Sequence, residues 1–148
     1  MAITVDEVKA IGERWCDTLR DSDAPASERA KFFLHPAPRI YVVQAGIGIS
    51  LEEHAKYHSQ FSHQILTLGD FTVTQLSDEP ERARAIGSLY WEAHFPDDSK
   101  PPLRCVVGED WLFERIPSGE LRYVLWLNTM HHFLDDSSVG RLDIHGTE

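Results

Sequence analysis

Asp110 is the residue whose setting most suggests chemistry. It stands in Gly108-Glu109-Asp110-Trp111-Leu112-Phe113-Glu114-Arg115, followed by a turn cluster at 116–120 and an apolar run at 121–133. Apolar runs flanking a Pro-Ser-Gly turn predict a β-hairpin. If the Asp110 side chain points inward, burial disfavours its charged form, raises its pKa and suits it to proton transfer near neutrality. If it points outward, it belongs to a solvated strand face; the alternation admits both.

The histidines form the second group. His54 and His58 are four apart on a predicted helix and share a face, with His63 just beyond. That spacing can bind zinc, but no third ligand or supporting shell is evident, so a surface or pocket-rim role is expected and no metal. Tyr57 and His58 are neighbours on the helix, so at most one of them is expected to face a pocket. His131 and His132 alternate faces at the end of a strand, one toward the pocket mouth.

These residues need elements to position them. Residues 4–20 read as an amphipathic helix in which Thr4 and Glu7 form a capping box and Val5, Val8, Ile11, Trp15 and Leu19 recur at helical spacing. A short helix capped by Ser27 is expected to reach Leu34, where His35-Pro36 stops it. A β-rich run at 39–45 is broken by Gly46 and Gly48. Ser50 and Glu53 then open a third helix, expected to end near Phe61. Strands follow at 71–76, 82–95, 103–115 and 121–133. On the strand at 82–95, Trp91, Ala93 and Phe95 are expected to face the helices, with Tyr90, Glu92 and His94 outward.

Helices first and antiparallel strands after them predict an α+β domain: a curved, antiparallel or mixed sheet with about three helices on its concave face. Residues 1–134 form that domain, and 135–148 form a polar tail expected to be mobile. The chain has 148 residues and a formal net charge of -10, which argues against nucleic-acid binding. No apolar run is long enough to span a bilayer, and the acidic start is not a signal peptide, so a cytoplasmic protein without membrane contact is expected. Cys16 and Cys105 are expected to be free core thiols. No nucleotide, flavin or haem motif occurs, and no cofactor is expected.

Three segments carry a resemblance: Phe33-Leu34-His35-Pro36, the Gly46-x-Gly48-x-Ser50-Leu51-Glu52-Glu53-His54 stretch, and Glu109 to Arg115 followed by Ser118-Gly119-Glu120-Leu121-Arg122. In order and type they resemble the cone-shaped α+β fold of the nuclear transport factor 2 superfamily, above all its SnoaL-like and ketosteroid-isomerase-like branches. The resemblance places Asp110 where those enzymes carry a catalytic or oxyanion-hole acid. Strand alternation then puts Val124, Trp126 and Asn128 on the same pocket side. The isomerase's first-strand acid is missing here, and Tyr41 is the only ionisable group in residues 40–46. Related dehydratases surround a cavity with His and Tyr, which adds Tyr41, Tyr57, His58 and His94 to the candidates. The resemblance implies an apolar pocket for a hydrophobic small molecule, with cofactor-free acid–base catalysis of the cyclase, isomerase or dehydratase type. A non-catalytic binding or accessory domain, or the small subunit of a ring-hydroxylating dioxygenase, is the alternative. It also implies a homodimer through the outer sheet face, with Tyr90 and Trp111 in the contact.

Overall fold

Thr4 and Glu7 start the first helix by capping each other. Thr4 Oγ1 accepts from the Glu7 amide at 3.2 Å, and Glu7 Oε2 accepts from the Thr4 amide at 3.0 Å. The helix, α1 (Val5–Arg20), buries Val8, Ile11, Trp15, Cys16 and Leu19 along one stripe. This computed structural model describes residues 2–21 and 24–134; the expected tail, 135–148, lies outside them.

The second helix, α2 (Ala26–Ala30), is shorter than its sequence pattern and begins after Pro25 rather than at Ser27. Tertiary pairing ends it early. Tyr123 N–H donates to the Phe32 carbonyl at 2.8 Å and Leu34 N–H to the Tyr123 carbonyl at 2.9 Å, so after a turn at 31–32 Phe33 forms an isolated parallel bridge to Tyr123 instead.

The β-rich run becomes a hairpin of two strands, β1 (Arg39–Val42) and β2 (Ile47–Ser50), joined by a 3-10 turn at Val43–Ala45. Gly46 closes that turn at φ 70°, a left-handed conformation that a glycine adopts without steric cost. Ser50 Oγ then accepts from the Glu53 amide at 3.1 Å and opens α3 (Leu51–His58).

Four long strands follow: β3 (His63–Asp78), β4 (Glu81–His94), β5 (Leu103–Arg115) and β6 (Leu121–Phe133). β3 begins eight residues before the alternating stretch that announces it, because a bulge between Leu68 and Phe71 breaks the period. Gly87 allows that bulge, since a Cβ there would sit 2.5 Å from the Asp70 carbonyl. The sheet order is β2-β1-β6-β5-β4-β3, antiparallel throughout except for the parallel pair β1 and β6. The result is α+β, with an open mixed sheet of six strands and three helices.

On β5 the inward set is Leu103, Cys105, Val107, Glu109, Trp111 and Phe113. Trp111 is therefore core, not dimer surface: it is 1% exposed and its ring stacks on Phe71 at 4.6 Å. On β4, Trp91 and Ala93 face inward and Phe95 packs against the core just beyond the strand. The outward set forms a polar cluster, with Glu92 accepting from Tyr90 at 2.7 Å and lying 2.6 Å from His94 and 3.2 Å from Arg104. Both cysteines are buried, and burial pushes each thiol up to about 12, far from reactive.

Candidate functional site

Between α1, α3 and the inner face of the sheet lies a recess walled by Trp15, Leu66, Leu89, Trp91, Val107 and Trp126. Its cavity volume is about 50 Å³. Polar groups enter it from three elements. α3 contributes His54, Tyr57 and His58, β5 contributes Glu109, and β6 contributes Asn128 and His131.

Glu109 is the acid of this cavity. It is 1% exposed, and its Oε2 accepts from Trp111 Nε1 at 2.9 Å and from Asn128 Nδ2 at 2.9 Å. Burial raises its pKa well above the ordinary carboxylate value, and the two donors only partly offset this. The donors come from fixed places. Trp111 is two residues along the same face of β5, and Asn128 is the register partner of Glu109 on β6.

His58 is held by a network whose proton positions follow from its partners. The Trp91 indole can only donate and the Leu19 carbonyl can only accept, so Gln64 receives the former on Oε1 (2.9 Å) and gives Nε2 to the latter (2.7 Å). The same Oε1 lies 2.7 Å from His58 Nδ1, which must then carry the proton. That leaves Nε2 as the lone-pair nitrogen of a neutral ring. Burial lowers the His58 pKa to about 4 against the opposing effect of the Gln64 bond. His54 packs beside it with ring centroids 4.4 Å apart, stacks on Trp15, and is held well below its usual range by burial. Burial likewise lowers His131 to about 4. Among the described residues no group of three or more His, Cys, Asp or Glu side chains is placed to hold a metal ion.

Four expected site residues line the recess: Tyr57, His58, Trp126 and Asn128. Four do not. Asp110 projects from the opposite face of β5, where Arg84 Nε and Nη2 grip its two oxygens at 2.9 and 2.6 Å. Inward faces on β5 fall on odd numbers, so the pocket position belongs to Glu109. Val124 is displaced by a bulge between the pairs Leu112–Leu125 and Phe113–Tyr123, which puts Tyr123 and Trp126 inside and leaves Val124 half-buried elsewhere. Tyr41 alternates with the inward Ile40 and Val42 and lies exposed over Gly48. His94 is also outside, in the Glu92 cluster.

Two histidines expected at the surface or rim are interior instead, and Tyr57 and His58 both face the cavity. The buried stripe of α3 holds Leu51, His54, Tyr57 and His58, and a core-facing stripe is at least ~100° wide, broad enough for adjacent residues at its edges. Gln64 gave no sequence signal; only its place at the start of β3 brings it to His58.

No family model and no curated protein sequence matches the chain. Solved structures do. A scytalone-dehydratase-like protein from Novosphingobium aromaticivorans superposes with TM-score 0.69 at 11% identity, covering 93% of this chain and 94% of that one. A hexachlorocyclohexane dehydrochlorinase from Novosphingobium barchaimii gives 0.66 at 9%, covering 93% and 94%. A nuclear transport factor 2-like protein with a cystatin-like fold from Novosphingobium aromaticivorans gives 0.63 at 17%, covering 90% and 83%. The chain shares the α+β fold of these structures, one of them a nuclear transport factor 2-like protein with a cystatin-like fold. No helix among the described residues is long and apolar enough to cross a membrane.

Proposed function

We propose that this protein binds a hydrophobic small molecule in the recess and transfers protons on it without a cofactor, as an isomerase, cyclase or dehydratase does. The observation that carries the reading is Glu109, a carboxyl group buried at the inner wall and fixed by two donors. With its pKa raised by burial, it can donate a proton or hydrogen bond to an oxygen on which charge develops. His58, neutral and with Nε2 unprotonated, is the base within the same cavity. Acid and base with opposite pKa displacements are the pairing that proton-transfer sites use. Asp110 has no part in this scheme.

Glu109→Gln and Asp110→Asn, assayed side by side on hydrophobic carbonyl and polyketide-like compounds, test it. Glu109→Gln should lose roughly 10²- to 10⁴-fold in kcat, the usual contribution of a general acid or base. Asp110→Asn should retain wild-type turnover. Equal activity of Glu109→Gln and wild type would sink the proposal.

The small enclosed space favours a second reading, a binding or accessory domain without turnover, since ligand sites commonly hold several hundred Å³. For assembly, we propose a homodimer through the outer sheet face, where Ile86 and Leu125 are 48% and 37% exposed and the half-buried Leu112 and Leu127 join them.

A further inference from the structure

We infer that the recess recognises its ligand through an acceptor oxygen, held by the indole N–H groups of Trp15 and Trp126. The inference rests on reading the recess as a small-molecule site and adds the chemistry by which that molecule is chosen.

The chain has four tryptophans. Two have committed their N–H groups: Trp91 donates to Gln64 and Trp111 to Glu109, each at 2.9 Å. Trp15 and Trp126 line the same recess, are 1% and 3% exposed, and donate to nothing within the protein. An indole nitrogen can only donate. Buried polar groups are nearly always paired, and both idle donors belong to residues lining one recess, so an acceptor from outside the chain would complete them. The two rings are 4.9 Å apart by centroid, close enough for one small molecule to reach both.

The other polar groups are compatible with this demand. His54 Nδ1 and His131 Nδ1 also make no hydrogen bond, and a neutral imidazole can either donate or accept. The Arg29 guanidinium is fully buried, and its charge, felt at His54 and His58, disfavours a cationic ligand. Leu66, Leu89 and Val107 require an apolar body. Together they favour a compact apolar body bearing a carbonyl or a comparable acceptor oxygen over a hydrocarbon or a cation.

The test compares cyclohexanone with methylenecyclohexane, which has nearly the same shape but no acceptor oxygen. ¹H–¹⁵N spectra of the indole N–H groups are assigned with Trp15→Phe and Trp126→Phe. Cyclohexanone should move the Trp15 and Trp126 signals downfield and leave those of Trp91 and Trp111 nearly in place. It should bind at least roughly tenfold tighter than the alkene, the worth of one net hydrogen bond. Equal affinity for the two probes, binding of neither, or shifts confined to Trp91 and Trp111 would each overturn the inference. The wild-type spectra remain informative even if a Phe variant does not fold. Indole shifts without turnover of any compound would remove the catalytic reading and leave this inference standing. Turnover of a ketone with unmoved Trp15 and Trp126 signals would do the reverse.

Discussion

Trp111 donates its indole N–H to Glu109 over 2.9 Å, from two residues further along the same face of β5. One strand therefore supplies both the buried acid and a donor that orients it, and β6 supplies the second donor through Asn128. The same tryptophan stacks on Phe71 and lies 4.8 Å from Trp126 by ring centroid, so the orientation of the acid is tied to core packing.

Removing that donor should act on both packing and acidity. Trp111→Phe is expected to destabilise the fold by about 1–3 kcal/mol and to raise the Glu109 pKa further, because the lost hydrogen bond favoured the carboxylate. Urea denaturation measures the first, and ¹³C titration of the Glu109 carboxyl the second. An unchanged titration would show that the Trp111 bond does not set the acidity.

Stability should fall on acidification through the histidines. His58 and His131 are each lowered from 6.5 to about 4, so the unfolded chain binds protons that the folded one refuses. Their contribution is complete above pH 6.5 and is lost toward pH 4, by up to roughly 3 kcal/mol each. Glu109 has the opposite sign: its raised pKa makes the folded state lose stability as pH climbs above 4.5. Denaturation curves between pH 4 and 8 should therefore show a steeper acid loss in Glu109→Gln than in wild type. The acid slope should shrink in His58→Gln combined with His131→Gln. Wild type and the double variant sharing one slope would contradict this.

The pair outside the sheet should matter little to stability. Arg84 is half exposed, so Asp110→Asn is expected to cost no more than about 1 kcal/mol despite its two short hydrogen bonds. A double-mutant cycle with Arg84→Met gives the coupling energy. A value of several kcal/mol would mean that the pair is buried in an assembly.

Light scattering at micromolar concentration should report twice the chain mass, falling to one in Ile86→Glu and in Leu125→Glu. A charge in a closely packed apolar contact loses hydration without gaining a partner. A monomeric wild type would remove the dimer.

Much of this protein is legible in its residues alone. The Thr4–Glu7 box, the stripe of α1, the cap at Ser50 and the turn before β6 are local features, written within four residues of each other or in a period that one element repeats. They suffice for the α+β class and for the position of most elements. What the chain does not announce locally is which of two adjacent residues faces inward. In a strand the side-chain period is two, so a slip of one residue exchanges every inward residue for an outward one. That is how Glu109 and Trp111 trade places with Asp110, and how the bulge near Val124 undoes simple alternation along β6. Only pairing with β4 and β6 decides the face. The same holds for Gln64 and His58, six residues apart and bonded directly, with Gln64 held in place by Trp91 and Leu19 from two other elements. The residue types were present in the sequence; tertiary structure alone decided which of them meet in the recess.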